Sequence, residues 1–181
     1  MKILGIVLMI MFVAVKSFSQ EKRKIEADKK SSMVEYAMKH PLHSWEAVSK
    51  ESKSIIVFND KTQKIEAVAV IIPIKSFDSG NSNRDSHAIE VLEALKFPNV
   101  TFSASSIQES GIDLIIKGNL SFHGVSKPLE LKVQQAISKA NIRVTGDFVI
   151  NMTDFNVEPP RLMGLKTEEK IALKFVMVFK L

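Results

Sequence analysis

From residue 33 to the C-terminus, apolar side chains return at every second position in one segment after another. Val34, Tyr36 and Met38 alternate, as do Val68, Val70, Ile72 and Ile74, then Val100, Phe102 and Ala104. The last segment does so most strongly, with Ile171, Leu173, Phe175, Met177 and Phe179 on one face and Lys174 and Lys180 on the other. A period of two marks strands with one buried face. Only one stretch carries helical spacing: Ala88, Val91, Leu92 and Leu95, with Asp85 or Ser86 available as the cap and Pro98 as the stop. A single short helix has nothing to bundle with, so it is expected across a barrel mouth or a sheet edge. About eight strands and one short helix imply an all-β chain folded as an antiparallel barrel or sandwich. The apolar last strand suits barrel closure, which removes exposed edges.

The stretch "NLSFHGVSKPLEL", residues 119–131, reads as a hairpin. Alternation through Leu120 and Phe122 stops at His123-Gly124 and resumes at Leu129 and Leu131. His123 is then either a turn residue or a reactive group on the barrel lip. Pro73 calls for an edge, a bulge or a strand end.

The first nineteen residues are expected to be a signal peptide. Lys2 precedes an apolar run from Ile3 to Val15, and Ser17-Phe18-Ser19 supplies small residues at the cleavage positions. The run is short for a membrane span, which needs roughly 20 residues. Residues 20–31, with "EKRKIEADKK", read as a flexible charged linker, and 32–181 as one barrel domain. Removing residues 1–19 takes two lysines and no acid from a net charge of +5, leaving +3. The basic residues do not interleave with aromatic ones, so no nucleic-acid partner is expected. The chain has no cysteine, so the fold rests on its core and not on disulfides, and no lipid is attached through a cysteine.

Reactive motifs are sparse. No G-x-S-x-G, G-x-G-x-x-G or Walker loop occurs. "HPLHSW" spaces His40 and His43 as a ligand pair, but Pro41 interrupts, and a zinc site needs a third or fourth ligand from His87, His123 or a carboxylate. No metal and no cofactor are expected. Arg84, Asp85 and His87 serve either as a salt bridge and helix cap or as polar contacts for a ligand head group. Eight Met and eleven Phe supply flexible and aromatic apolar volume, which either fills a barrel or lines a space for one ligand.

The segments "SFDSGNSNRDSHAIEVLEALKFPNVTF", "IKGNLSFHGVSKPLELKV" and "GDFVINMTDFNV" resemble, in order, those of the YceI-like family of exported lipid-binding proteins. The matching elements are Ser76 to Gly80, Arg84-Asp85, Phe97-Pro98 to Phe102, and Gly118-Asn119-Leu120 to Pro128. The resemblance spans about residues 68–157. It implies a lipocalin-like eight-stranded antiparallel barrel, periplasmic or secreted, that carries polyisoprenoids or fatty-acyl amphiphiles and brings no catalytic residues. It also favours a structural role for His123. The first third departs from the family: no glycine lies between residues 6 and 79, and strand pairing over 40–60 is left open.

The expected function is that of an exported, non-enzymatic carrier of a long-chain lipid or isoprenoid. After signal cleavage it would have no integral membrane span, and a homodimer is left open. The candidate lining is Val68, Val70, Ile72, Ile74, Phe102, Phe122, Phe148, Ile150, Phe175 and Met177, with Arg84 and His87 at the ligand's polar end. The alternatives are a filled-core envelope stress or interaction protein without a lipid, and a metal-dependent enzyme built on His40 and His43.

Overall fold

The computed structural model describes residues 21–181. The expected signal peptide lies outside them. Twelve strands run in chain order: β1 Lys22–Glu26, β2 Met33–His40, β3 His43–Ser49, β4 Lys53–Asn59, β5 Lys64–Pro73, β6 Asn99–Ser110, β7 Asp113–Phe122, β8 Val125–Ile137, β9 Asn141–Asn151, β10 Arg161–Leu162, β11 Leu165–Lys166 and β12 Lys170–Lys180. Helix α1 spans Ser82–Val91, and single 3-10 turns cover Ile74–Ser76 and Met152–Phe155. Pro73 ends β5, where the missing N–H costs no ladder bond.

Ten strands form one antiparallel sheet in the order β1-β4-β5-β6-β7-β8-β9-β12-β2-β3. Strand β12 closes it. One edge pairs with β9 from Lys170↔Asn151 to Lys180↔Asn141. The other edge is shared: Ala172 to Val176 face β2, and Phe179 bridges Ala27 just past β1. The Asp28 N–H adds a bond to the Val178 carbonyl at 2.7 Å. Strands β1, β4 to β9 and β12 thus make an eight-membered antiparallel ring of the lipocalin-like kind, and β2-β3 extends from it. At the far end Val48 and Asp78 exchange two backbone bonds of 2.9 and 3.0 Å, tying β3 to the segment after β5. Register shifts at Val57/Phe58 and Ala104/Ser106 bend the strands where the wall curves.

Three sequence expectations change. Residues 22–26 are not linker but β1, because Ile25 is buried and the flanking charges pair with the neighbouring hairpin: Lys22 with Glu66 at 2.7 Å and Arg23 with Asp60 at 2.9 Å. The cap of α1 is Asn81, whose side chain accepts from the Arg84 N–H at 3.1 Å, while Asp85 accepts from the Ser79 N–H at 3.2 Å. Leu95 is 99% exposed rather than part of the apolar stripe. The helix has ended at Val91, and Glu93 takes a positive φ of 44°, which turns Ala94 inward in its place.

The apolar interior falls into two clusters. The inner one packs Ile56, Phe58, Leu114, Val133, Ile142 and Phe179; the outer one, beneath α1, packs Ile74, Leu120, Phe122, Met152, Phe155 and Ile171. Phe102, Leu129 and Phe148 touch both.

Candidate functional site

Alternation leaves one face of β4 to β9 and β12 toward the lumen, and that face does not fill it. An inner chamber of about 90 Å³ is lined by Val68, Val70, Phe102, Leu114, Ile116, Leu131, Val144, Phe175 and Met177, among others. An outer chamber of about 130 Å³ is lined by Tyr36, Met38, Trp45, Ile74, Phe122, Ile150, Met152 and Ile171, and roofed by Arg84, His87, Ala88, Val91 and Leu92 of the helix segment. Leu120, Phe148 and Leu173 belong to both walls. The two spaces are therefore neighbours along one axis, from beneath α1 into the inner core. The inner wall is apolar except for Ser54.

The residues named from sequence divide accordingly. Val68, Val70, Phe102, Phe175 and Met177 stand on the inner chamber, Ile74, Phe122 and Ile150 on the outer, and Phe148 between them. Ile72 is buried in the inner core away from both walls. Arg84 and His87 both reach the outer chamber. Leu120 and Leu173, not singled out from sequence, lie on the same alternating faces as Phe122 and Phe175, so the signal for them was present. Tyr36 alternates with Val34 and Met38 on β2, so its signal was present as well; Trp45 carried none beyond its residue type.

Polar groups gather at the outer end. The Arg84 guanidinium lies 5.6 Å from the Trp45 ring centroid. The carboxylate beside it, Asp85, is turned to the Ser79 N–H, and among the described residues Arg84 has no ion-pair partner. Tyr36 packs edge-on to Phe77 at 5.1 Å, and burial pushes its phenol above the ordinary pKa. His87 is exposed, 3.9 Å from Glu90.

Two of the other histidines, His123 and His40, are held by hydrogen bonds through both ring nitrogens. His123 and Gly124 form a two-residue hairpin turn with positive φ at both positions, 49° and 75°, the pattern of a type I′ turn. A side chain at Gly124 would also strike the Phe97 ring, 2.6 Å from its Cβ position. His123 Nδ1 donates to the Phe155 carbonyl at 3.1 Å, its Nε2 lies 2.9 Å from Glu93 Oε2, and its ring packs on Phe97 at 4.7 Å. It ties the β7-β8 hairpin to the segment after α1 and to the turn after β9. His40 is buried at the end of β2. Its Nδ1 accepts from the Leu42 N–H, which leaves Nε2–H to donate to the Leu165 carbonyl at 3.2 Å. His43 lies against it, with ring centroids 5.4 Å apart. Among the described residues no group of three or more His, Cys, Asp or Glu is placed to hold a metal ion.

An antiparallel ring around apolar chambers, with a helix segment over one end, defines the class of lipocalin-like barrels. Within that class the YceI-like domain matches residues 26–179, and the chain belongs to this family. It is similar to Protein YceI of Salmonella newport, 30% identical over 135 residues that cover 73% of this chain and 71% of the relative. Among solved structures it resembles Burkholderia cenocepacia BcnA, with a TM-score of 0.74 at 21% identity over 84% of this chain and 98% of that one. A polyisoprenoid-binding domain from Saccharophagus degradans, implicated in plant cell wall breakdown, superposes with a TM-score of 0.68 at 14% identity, covering 87% and 97% of the two chains. At such identities these structures bear on the fold.

Proposed function

We propose that this protein is an exported, non-enzymatic carrier of a long-chain amphiphile, a polyisoprenoid or a fatty-acyl lipid, held along the axis of the barrel. The observation that carries the reading is the shared wall of Leu120, Phe148 and Leu173, which sets two apolar chambers end to end. The polyisoprenoid-binding domain of like fold supports the ligand class. The leader-like residues 1–19 support export to the periplasm or beyond. Each CH₂ taken from water into such a lumen contributes up to about 0.8 kcal/mol, so a long chain needs no specific polar contact to bind tightly. Arg84 and His87 meet the polar end. The inner lining is apolar except for Ser54, which favours carriage over catalysis.

The test uses cis-parinaric acid, whose emission rises in an apolar site. The wild type is expected to enhance it, and Phe122→Asp, shown to be folded by circular dichroism, is expected to lose most of the enhancement. Full enhancement in the folded variant would place the ligand elsewhere.

A further inference from the structure

Two glycines stand where the alternation should put side chains into the lumen. Gly146 falls between Val144 and Phe148 on β9, and Gly118 between Ile116 and Leu120 on β7; all four flanking side chains line the inner chamber. A Cβ on Gly146 would lie 2.8 Å from Phe175 Cζ and 2.9 Å from Val133 Cγ1. One on Gly118 would lie 2.4 Å from the Ser103 carbonyl oxygen and 2.7 Å from Phe102 Cζ. Neither glycine has the left-handed φ that would explain its choice by backbone freedom. What each provides is room for a phenylalanine ring to lie against bare backbone. For Gly146 that ring belongs to its direct partner in the ladder, Phe175.

We propose that Gly146 and Gly118 set the depth of the inner chamber, and with it the longest chain the barrel accepts, by letting Phe175 and Phe102 lie along the wall. This rests on the carrier reading and adds a length rule to it. A methyl on Gly146 meets Val133 on the β8 side and Phe175 on the β12 side. The Phe175 ring borders open space, so it is the group that yields, and it yields into the chamber. At Gly118 the backbone carbonyl is the nearer obstacle, so Gly146 is the position that reports on volume.

The experiment is native mass spectrometry of solvent-stripped protein offered a ladder of all-trans prenyl alcohols from farnesol through geranylgeraniol to solanesol. Gly146→Ala is expected to keep the shortest alcohol the wild type binds and to lose about tenfold or more in occupancy of the longest, since each methylene kept in water forfeits burial energy. Phe175→Leu should extend the accepted length, and the double variant should return toward the wild-type profile. An unchanged length profile in folded Gly146→Ala overturns the proposal. If that variant does not fold, an unchanged profile in Phe175→Leu overturns it equally. A wild type that takes up none of the alcohols removes the carrier reading and the length rule together, a result distinct from uptake that ignores the substitutions.

Discussion

Arg84 stacks on Trp45 with its guanidinium carbon 5.6 Å from the ring centroid, joining α1 to β3 across the outer chamber. The pairing keeps a cation at the chamber wall without committing it to a carboxylate. It also makes Trp45, the only tryptophan in the chain, a direct reporter of the mouth.

Titration with palmitate should therefore shift Trp45 emission, because the acyl chain replaces water beside the indole. Arg84→Leu is expected to weaken palmitate several-fold while leaving hexadecanol nearly unchanged, the difference being one charge-assisted contact. Equal loss for both ligands would show that Arg84 contributes packing and not recognition of the head.

Burial separates a core side chain of β4 from a surface leucine beyond α1. Phe58 is fully buried, and Phe58→Ala should destabilise by about 3–5 kcal/mol in urea denaturation. Leu95→Ala should stay within about 0.5 kcal/mol of the wild type, since Leu95 is almost wholly exposed. A core-sized loss at Leu95 would contradict the helix end at Val91.

That leucine also marks where sequence reasoning ran out. Alternation made β2, β4 to β9 and β12 legible, because one face of each is buried in a shared interior. It did not reveal β1, whose only buried apolar residue is Ile25 and whose place is secured by backbone pairing with β4. Strand β3 was equally hard to see: "HSWEAVS" turns Trp45, Ala47 and Ser49 to one side, with only Ala47 and Ser49 buried. The short β10-β11 hairpin is exposed throughout and leaves no hydrophobic pattern. The lining was largely readable, since period-two faces and lumen faces coincide. The partition into two chambers was not, because it depends on how Leu120, Phe148 and Leu173 meet across strands distant in sequence.

His123 holds three segments through both ring nitrogens. His123→Ala is expected to cost roughly 1–3 kcal/mol, the range for losing bonds that include a charged partner. A double-mutant cycle with Glu93→Ala should give a coupling of about 0.5 kcal/mol or more. Additive losses would mean that the 2.9 Å contact contributes nothing in solution.

Three lysine-bonded carboxyls contribute to the acid limb of stability. Hydrogen bonds from Lys180 to Asp28, from Lys22 to Glu66 and from Lys127 to Asp154 lower all three pKa values. Each group is more acidic folded than unfolded, so its contribution is complete above the ordinary carboxylate range and is lost as pH falls through the lowered folded values. Thermal stability should therefore decline on acidification below about pH 4. The triple variant Asp28→Asn, Glu66→Gln, Asp154→Asn should show a shallower decline, and high salt should reduce the difference. An acid limb of unchanged steepness would assign it to other groups.

The most direct measurement is native mass spectrometry of the protein purified from its own host, followed by solvent extraction and lipid analysis. A carrier is expected to show a discrete added mass that extracts as one class of long-chain amphiphile and returns when that lipid is added back. A clean apo mass, with no uptake of added isoprenoids or fatty acids, would contradict the carrier account and leave a barrel whose chambers serve only its packing.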